Sequence, residues 1–352
     1  MSVFLIDKLK GLTPYVPGEQ IKDKEYIKLN TNESPFLPSP FAVRLLRQAA
    51  NDAFLYPDPE YKSLVDIAAE KYGVNTDEIL FTNGSDEALK YAFAAFCDAV
   101  TPAVFADITY GFYEVFAKAQ NVPSKIIPLK DDLTIGVGDY LNAGGTVFIA
   151  NPNAPTGLLL SVSDIEKIVK GNSGNVVVVD EAYIDFGGAS ALPLIKKYDN
   201  IIVVQTFSKS RSLAGARIGF AIGNRELIKD LKLIKYASNP YNLSGISAAA
   251  AIGALVDEEY FKGNCYKIIA TRERLKKELA AAGYDCTDSY SNFVFVKKNG
   301  LSGETLYAKL KEKGILVRYF NKPRISDYVR ITVGSDEQTD ALIAALKDVA
   351  GV

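Results

Sequence analysis

Beyond residue 75 the sequence alternates short β-branched runs with longer stretches of helical periodicity, a pattern that few folds can accommodate. Parallel strands cannot be joined by tight turns and need crossover connections, most often helices, so the alternation predicts βαβ units around a parallel sheet. The expected strands are Ile79 to Thr82, Ala103 to Ala106, Lys125 to Leu129, Thr146 to Ala150, Val176 to Asp180, Ile201 to Thr206 and Ile218 to Ile222. Runs such as VVVVD and IIVVQTF are apolar along most of their length, which places them in the middle of a sheet covered on both faces. Helices are expected at Tyr61 to Tyr72, Ser85 to Val100, Gly111 to Asn121, Ser163 to Lys170 and Arg225 to Tyr236. From Ser244 a long helical pattern runs toward Ala282, with a break expected near Gly263. Short strands follow at Phe293 to Lys297, Ile315 to Val317 and Tyr328 to Val333, with helices at Glu304 to Lys313 and Asp336 to Val349. The expected fold is α/β. A large domain, residues 31–240, holds a seven-stranded, mostly parallel sheet sandwiched by helices, and residues 1–30 and 241–352 form a smaller α+β domain.

Composition narrows the chemistry. The 352 residues include no histidine, which removes every mechanism that needs an imidazole base, a Ser/His or Cys/His pair, or His ligation of zinc. Acid–base work falls to Lys, Tyr, Asp, Glu or Cys. Cys97, Cys265 and Cys286 lie far apart without C-x-x-C spacing, so neither a disulfide framework nor a thiolate metal site is expected, and a reducing, cytoplasmic setting follows. Lys and Arg number 40 against 42 Asp and Glu, which gives no basic excess for a nucleic acid. The apolar stretch Val3 to Ile6 is too short for a signal peptide core, and polar residues break the uncharged run Tyr236 to Val256, so no membrane association is expected.

In open parallel sheets, ligands bind outside the carboxyl ends of the strands. After Ile79 to Thr82 comes NGSDEA, where Gly84 permits a tight turn and Ser85, Asp86 and Glu87 open a helix with free backbone N–H groups. Such an end suits a phosphate, although an ordinary capped helix start looks the same. VVVVD delivers Asp180 at a strand end, with Tyr183 three residues later. A buried carboxylate needs a partner, either a protonated heteroaromatic nitrogen or a nearby Arg. IIVVQTF leads into Ser208 and Lys209, with Arg217 following. A lysine there can offer a free amine for imine chemistry while Ser and Arg hold a phosphate; the alternative is a solvated basic turn.

An aldehyde-reactive lysine, a carboxylate for a pyridine nitrogen and a phosphate cradle together describe a pyridoxal phosphate site. The spaced series YPDPEYKSL, NGSDEAL, NPNAPTG, VVDEAYIDF and TFSKSRSLAGARIG resembles fold-type-I aminotransferases, most closely the histidinol-phosphate aminotransferase family. The resemblance extends from LTPYVPGE through KLNTNESP to VRITVGSDEQ, essentially the whole chain. It implies that Lys209 is the cofactor-linked lysine and proton carrier, that Asp180 keeps the pyridine nitrogen protonated, and that Tyr183 bonds the phenolic oxygen. Tyr110 would stack on the ring. Ser208, Arg217 and Thr206, with backbone from Ser85 and Asp86, would bind the cofactor phosphate. Tyr56 of YPDP would reach that phosphate from a neighbouring subunit, which implies a homodimer. Arg330 would bind the substrate anion, with Arg318 and Tyr15 as further phosphate contacts.

Many relatives carry Asn immediately before Pro-Thr-Gly, where its amide bonds the phenolic oxygen; here that position is Ala154 and the neighbouring amide is Asn153. Either Asn153 substitutes or Tyr183 carries the contact alone. The implied reaction is transamination of L-histidinol phosphate with 2-oxoglutarate. Threonine-phosphate decarboxylase and aromatic aminotransferase activities are alternatives on the same fold, and a non-catalytic cofactor-binding regulator is disfavoured because no basic DNA-binding region precedes Leu29.

Overall fold

The computed structural model describes residues 2–20 and 25–351. Seven strands form the large sheet: β1 (Ile79–Asn83), β2 (Ala103–Ala106), β3 (Ser124–Ile127), β4 (Thr146–Ala150), β5 (Val177–Asp180), β6 (Ile201–Thr206) and β7 (Ile218–Gly223). Their order is β1-β7-β6-β5-β4-β2-β3. β7 is antiparallel to both neighbours, and every other pairing is parallel. Side chains alternate across a strand, and both faces of the central strands are apolar. Val177, Val179, Ile201 and Val203 enter one core, while Val178, Ile202 and Val204 enter another on the opposite face. Each of these seven side chains is fully buried, which stabilises the fold by about 1.5–3 kcal/mol per residue. The unbroken runs of β5 and β6 follow from this double burial.

A four-stranded antiparallel sheet follows in the C-terminal third, ordered Arg318–Tyr319, Tyr328–Thr332, Phe293–Lys297, Asp285–Cys286. Helices Glu258–Ala281, Gly303–Glu312 and Asp336–Ala350 contribute Leu275, Leu279, Leu306, Leu310, Leu342 and Leu346 to its core. The N-terminal region joins it: Ile27–Lys28 pairs in parallel with Ile315–Leu316, and Leu29 enters the same core. The expected strand Ile315 to Val317 ends at Leu316, and the strand that follows, Arg318–Tyr319, lies in the other sheet.

Three expectations change. The helix from Ser85 ends at Phe96 rather than Val100, because the Asp98 carboxylate accepts the Val100 and Thr101 N–H groups and closes a turn. The break expected near Gly263 lies at Asp257, between Gly245–Val256 and Glu258–Ala281. Gly263 faces open space inside a continuous helix, whereas the Asp257 carboxylate accepts from Ser39 Oγ at 2.5 Å and ties the break to the N-terminus of helix Pro40–Ala49. Helix Gly245–Val256 lies beyond the expected boundary at residue 240, yet its Ala250, Ala251, Ala254 and Leu255 enter the large-sheet core.

That helix crosses Pro40–Ala49 at Gly253, where a β-carbon would lie 2.5 Å from Ala42 Cα and 2.7 Å from its N. Overpacking a well-filled contact costs about 1–3 kcal/mol. Gly253→Val is therefore expected to lower stability by that amount in denaturant unfolding, and an unchanged midpoint would contradict the close approach.

Candidate active site

One cavity of about 690 Å³ opens at the carboxyl ends of β5 and β6. Its wall includes Ser85, Asp86, Tyr110, Asp180, Tyr183, Thr206, Ser208, Lys209 and Arg217, and on the far side Tyr15, Arg318 and Arg330. Residues scattered over more than 300 positions of sequence thus converge. Tyr56 does not line the cavity; it is 82% exposed and stacks on Tyr241 with ring centroids 4.6 Å apart.

Two glycines shape one end. Gly84 has φ +77°, and a β-carbon there would lie 2.5 Å from Arg217 Nη2. A β-carbon at Gly219 of β7 would come within 2.2 Å of the Ser85 N. Their absence lets β7 and Arg217 approach the start of helix Ser85–Phe96, whose first N–H groups have no partner within the helix. Thr206 Oγ1 and Ser208 Oγ lie 2.9 Å apart beside it. The Asp86 carboxylate accepts from Arg217 Nη2 at 3.2 Å and from Tyr110 OH at 2.7 Å, fixing both side chains. N–H groups, hydroxyls and a guanidinium together suit a phosphate.

Asp180 is buried at the end of β5. Its Oδ2 accepts from Tyr113 OH at 3.0 Å and its Oδ1 from the Ala182 N–H at 3.2 Å. Among the described residues no Lys or Arg forms an ion pair with it, so the nearby-Arg alternative is not what the structure contains. Burial pushes the Asp180 carboxyl up to about 7, against the lowering effect of the Tyr113 bond, and the negative charge of Asp86 adds to the rise. A carboxylate held without a cation fits a protonated ring nitrogen.

Lys209 faces the same space. Its Nζ donates to the Thr31 carbonyl at 3.2 Å and lies 5.9 Å from the Tyr183 ring centroid. Desolvation lowers its pKa to about 8, with the Arg330 charge contributing, so a free amine is accessible near neutral pH. Amine, carboxylate and phosphate cradle share one cavity, and this donor set fits pyridoxal phosphate.

Asn153 departs from expectation. Its Nδ2 donates to the Ile108 carbonyl at 3.0 Å and to Thr156 Oγ1 at 3.1 Å, while its Oδ1 accepts from Thr109 Oγ1 at 2.8 Å. The amide is fully engaged in tying its loop to the segment after β2 and does not line the cavity. Ala154, which does, has no side-chain donor. Tyr183 is left as the phenol facing that space, and its oxygen accepts from Asn32 Nδ2 at 3.0 Å.

At the far side Tyr15 stacks on Phe112 with centroids 4.3 Å apart. Arg318 donates to the Val16 and Pro17 carbonyls at 2.7 and 3.0 Å, holding the N-terminal arm against the small sheet. Arg330 Nη2 donates to the Asn30 carbonyl at 3.2 Å, while its buried Nε has no hydrogen-bond partner. An unpartnered guanidinium N–H on a cavity wall suits an incoming anion. Sequence reasoning missed Tyr113, Thr31 and Asn32. Tyr113 reads as one aromatic of an apolar helix face, and the other two sit in KLNTNESP, a segment without periodicity.

Residues 24–346 match the family described as aminotransferase class I and II, and the chain belongs to that family. Within it, the chain is 50% identical over 349 residues to a histidinol-phosphate aminotransferase of Brachyspira hyodysenteriae, covering 99% of each chain. It is 49% identical over 352 residues to one of a Marinomonas species, again covering 99% of each. The crystal structure of histidinol-phosphate aminotransferase from Sinorhizobium meliloti in complex with pyridoxal-5'-phosphate superposes with a TM-score of 0.90 at 27% identity, covering 100% of this chain and 98% of that one. No helix among the described residues is long and apolar enough to cross a membrane.

Proposed function

We propose that this chain is a pyridoxal phosphate-dependent transaminase that converts L-histidinol phosphate and 2-oxoglutarate to imidazole acetol phosphate and L-glutamate, a step of histidine biosynthesis. The reading rests above all on the buried amine of Lys209, shifted to about 8, in one cavity with the cation-free carboxylate of Asp180. Full-length relatives named histidinol-phosphate aminotransferase, at 45–50% identity, support the donor.

Each side chain then has a task. Lys209 would take the proton from the α carbon of the donor and carry it as the general base and acid of the reaction. Bound pyridoxal phosphate supplies the electron sink for the pair left on the α carbon. Asp180 would hold the pyridine nitrogen protonated through a charge-assisted bond, Tyr183 would donate to the phenolic oxygen, and Tyr110 would cover the ring. Ser85, Asp86, Thr206, Ser208 and Arg217 hold the cofactor phosphate through backbone N–H groups, hydroxyls and the guanidinium. Arg330, with Tyr15 and Arg318, receives the anionic end of the donor.

Tyr56 would complete the phosphate site of a second copy, making the protein a homodimer. The strong exposure of Leu37, Phe54 and Tyr56, each above 80%, favours a covered surface there. Free cysteines at 97, 265 and 286 are consistent with a cytoplasmic setting. We divide the chain at residue 31 and near residue 257, with helix Gly245–Val256 on the large unit.

Mixing cofactor-loaded protein with L-histidinol phosphate and no keto acid should yield about one equivalent of imidazole acetol phosphate per site. Carbon dioxide from L-threonine phosphate, or faster turnover of an aromatic amino acid, would redirect the assignment.

A further inference from the structure

Tyr183 has one hydroxyl hydrogen, and whether it can serve a ligand depends on where it points. Hydroxyl and amide orientations are ambiguous unless a network with a fixed donor defines them. Here one does. The Asn32 backbone N–H, which can only donate, reaches Thr332 Oγ1 at 3.0 Å. Thr332 Oγ1 also lies 3.1 Å from Asn32 Oδ1, and because among the described residues this buried hydroxyl has no other acceptor within hydrogen-bond reach, its single hydrogen goes to that oxygen. With Oδ1 so assigned, the other amide group, Nδ2, faces Tyr183 and donates to its oxygen at 3.0 Å. The Tyr183 oxygen therefore accepts from Asn32 and keeps its own hydrogen for another partner.

The surroundings hold this arrangement. Asn32 and Thr332 are 1% and 3% exposed, so water cannot scramble the polarity. Asn32 has φ +56°, a left-handed conformation that Asn adopts more readily than most residues. Its carbonyl accepts from Asn292 Nδ2 at 2.9 Å, and the Thr332 N–H donates to the Leu29 carbonyl at 2.9 Å. Tyr183 lines the cavity, Ala154 beside it has no donor, and the amide of Asn153 is engaged elsewhere.

We propose that Thr332 and Asn32 are positioning residues that relay a fixed hydrogen-bond polarity from the backbone to Tyr183 and aim its hydroxyl hydrogen into the cavity. The relay rests on the reading above, in which that hydrogen serves the phenolic oxygen of the cofactor. It also ties that contact to the strand carrying Arg330, because Thr332 lies two residues further along the same strand.

The test uses the cofactor-loaded protein without substrate and follows the pH midpoint of its visible absorption band together with the cofactor dissociation constant. A donor on an anionic oxygen favours its charged form, so loss of that donor raises the midpoint. Tyr183→Phe is expected to raise it by about one pH unit. Asn32→Asp presents a carboxylate oxygen where Nδ2 stood and draws the Tyr183 hydrogen away from the cavity. It should raise the midpoint at least half as far as Tyr183→Phe, weaken cofactor binding several-fold, and add nothing in the Tyr183→Phe background. Thr332→Val, which frees the Asn32 amide to rotate with little change of shape, should shift the midpoint in the same direction, and Thr332→Ser should restore it. A shift from Asn32→Asp that persists undiminished in the Tyr183→Phe background, or a wild-type midpoint in folded Thr332→Val, overturns the relay. An unmoved midpoint in Tyr183→Phe itself overturns the underlying assignment of Tyr183 and the relay with it.

Discussion

Lys209→Ala is expected to reduce multiple-turnover transamination by about 10³–10⁴-fold, because a positioned proton carrier accounts for up to about 10⁴ of a rate. The chain offers no histidine as a substitute base. The Tyr183 ring centroid lies 5.9 Å from that amine, and burial raises the pKa of this phenol, which leaves it a poor base. The substitution removes one hydrogen bond, to the Thr31 carbonyl, and a desolvated charge, so the fold should persist. Steady-state assay with L-histidinol phosphate and 2-oxoglutarate measures the loss. Borohydride treatment followed by peptide mass analysis should place the cofactor on the Lys209 peptide of the wild type and nowhere on the variant. A variant within tenfold of wild type would remove Lys209 from the chemistry.

Asp180→Asn should separate activity from stability. The carboxylate is the acceptor on that wall of the cavity, and removing one preorganised electrostatic partner of a transition state costs about 10²–10³-fold in rate. Stability should move the other way. Folding raises the Asp180 pKa from 3.8 to about 7, so between those values the native state binds more protons than the unfolded one, and the contribution of this group falls as pH rises through the window. Asn is neutral throughout. In cofactor-free protein, the stability of Asp180→Asn relative to wild type should therefore increase from pH 4 to 7 and then level off, as read by denaturant unfolding at several pH values. Glu181, also raised to about 7 by burial, is present in both proteins and cancels in the difference. A difference independent of pH would mean that Asp180 is ionised at no cost in the folded chain.

The sheet was legible because its signal is local. β5 and β6 are buried on both faces, so their apolar runs announce central strands without any knowledge of neighbours. Lys209 and Asp180 stood out as candidates for a related reason, since each lies at the end of such a run. Residues whose roles come from partners far along the chain were not. Tyr113 lies in FYEVF and looks like core until Asp180, 67 residues away, is placed against its hydroxyl. Asn153 looked available because NPNAPTG reads as an open loop, and only the fold reveals that Ile108, Thr109 and Thr156 occupy its amide. Gly263 looked like a breaker, but a glycine facing open space within a helix is tolerated, and the real break follows the tie between Asp257 and Ser39, 218 residues apart.

The pairing of Asn32 with Thr332 spans 300 residues, nearly the full length of the chain. Proteins are made from the N-terminus at about 5–20 residues per second, so about 15–60 s separate the emergence of these two partners from the ribosome. The large sheet can close during that interval, since its last strand ends at Gly223. The segment around Asn32 cannot settle until Thr332 has been made, so Tyr183 gains its orientation only after the strand Tyr328–Thr332 emerges. A nascent chain therefore carries a formed scaffold with an unfinished pocket, and competence to hold the cofactor arrives with the strand Tyr328–Thr332.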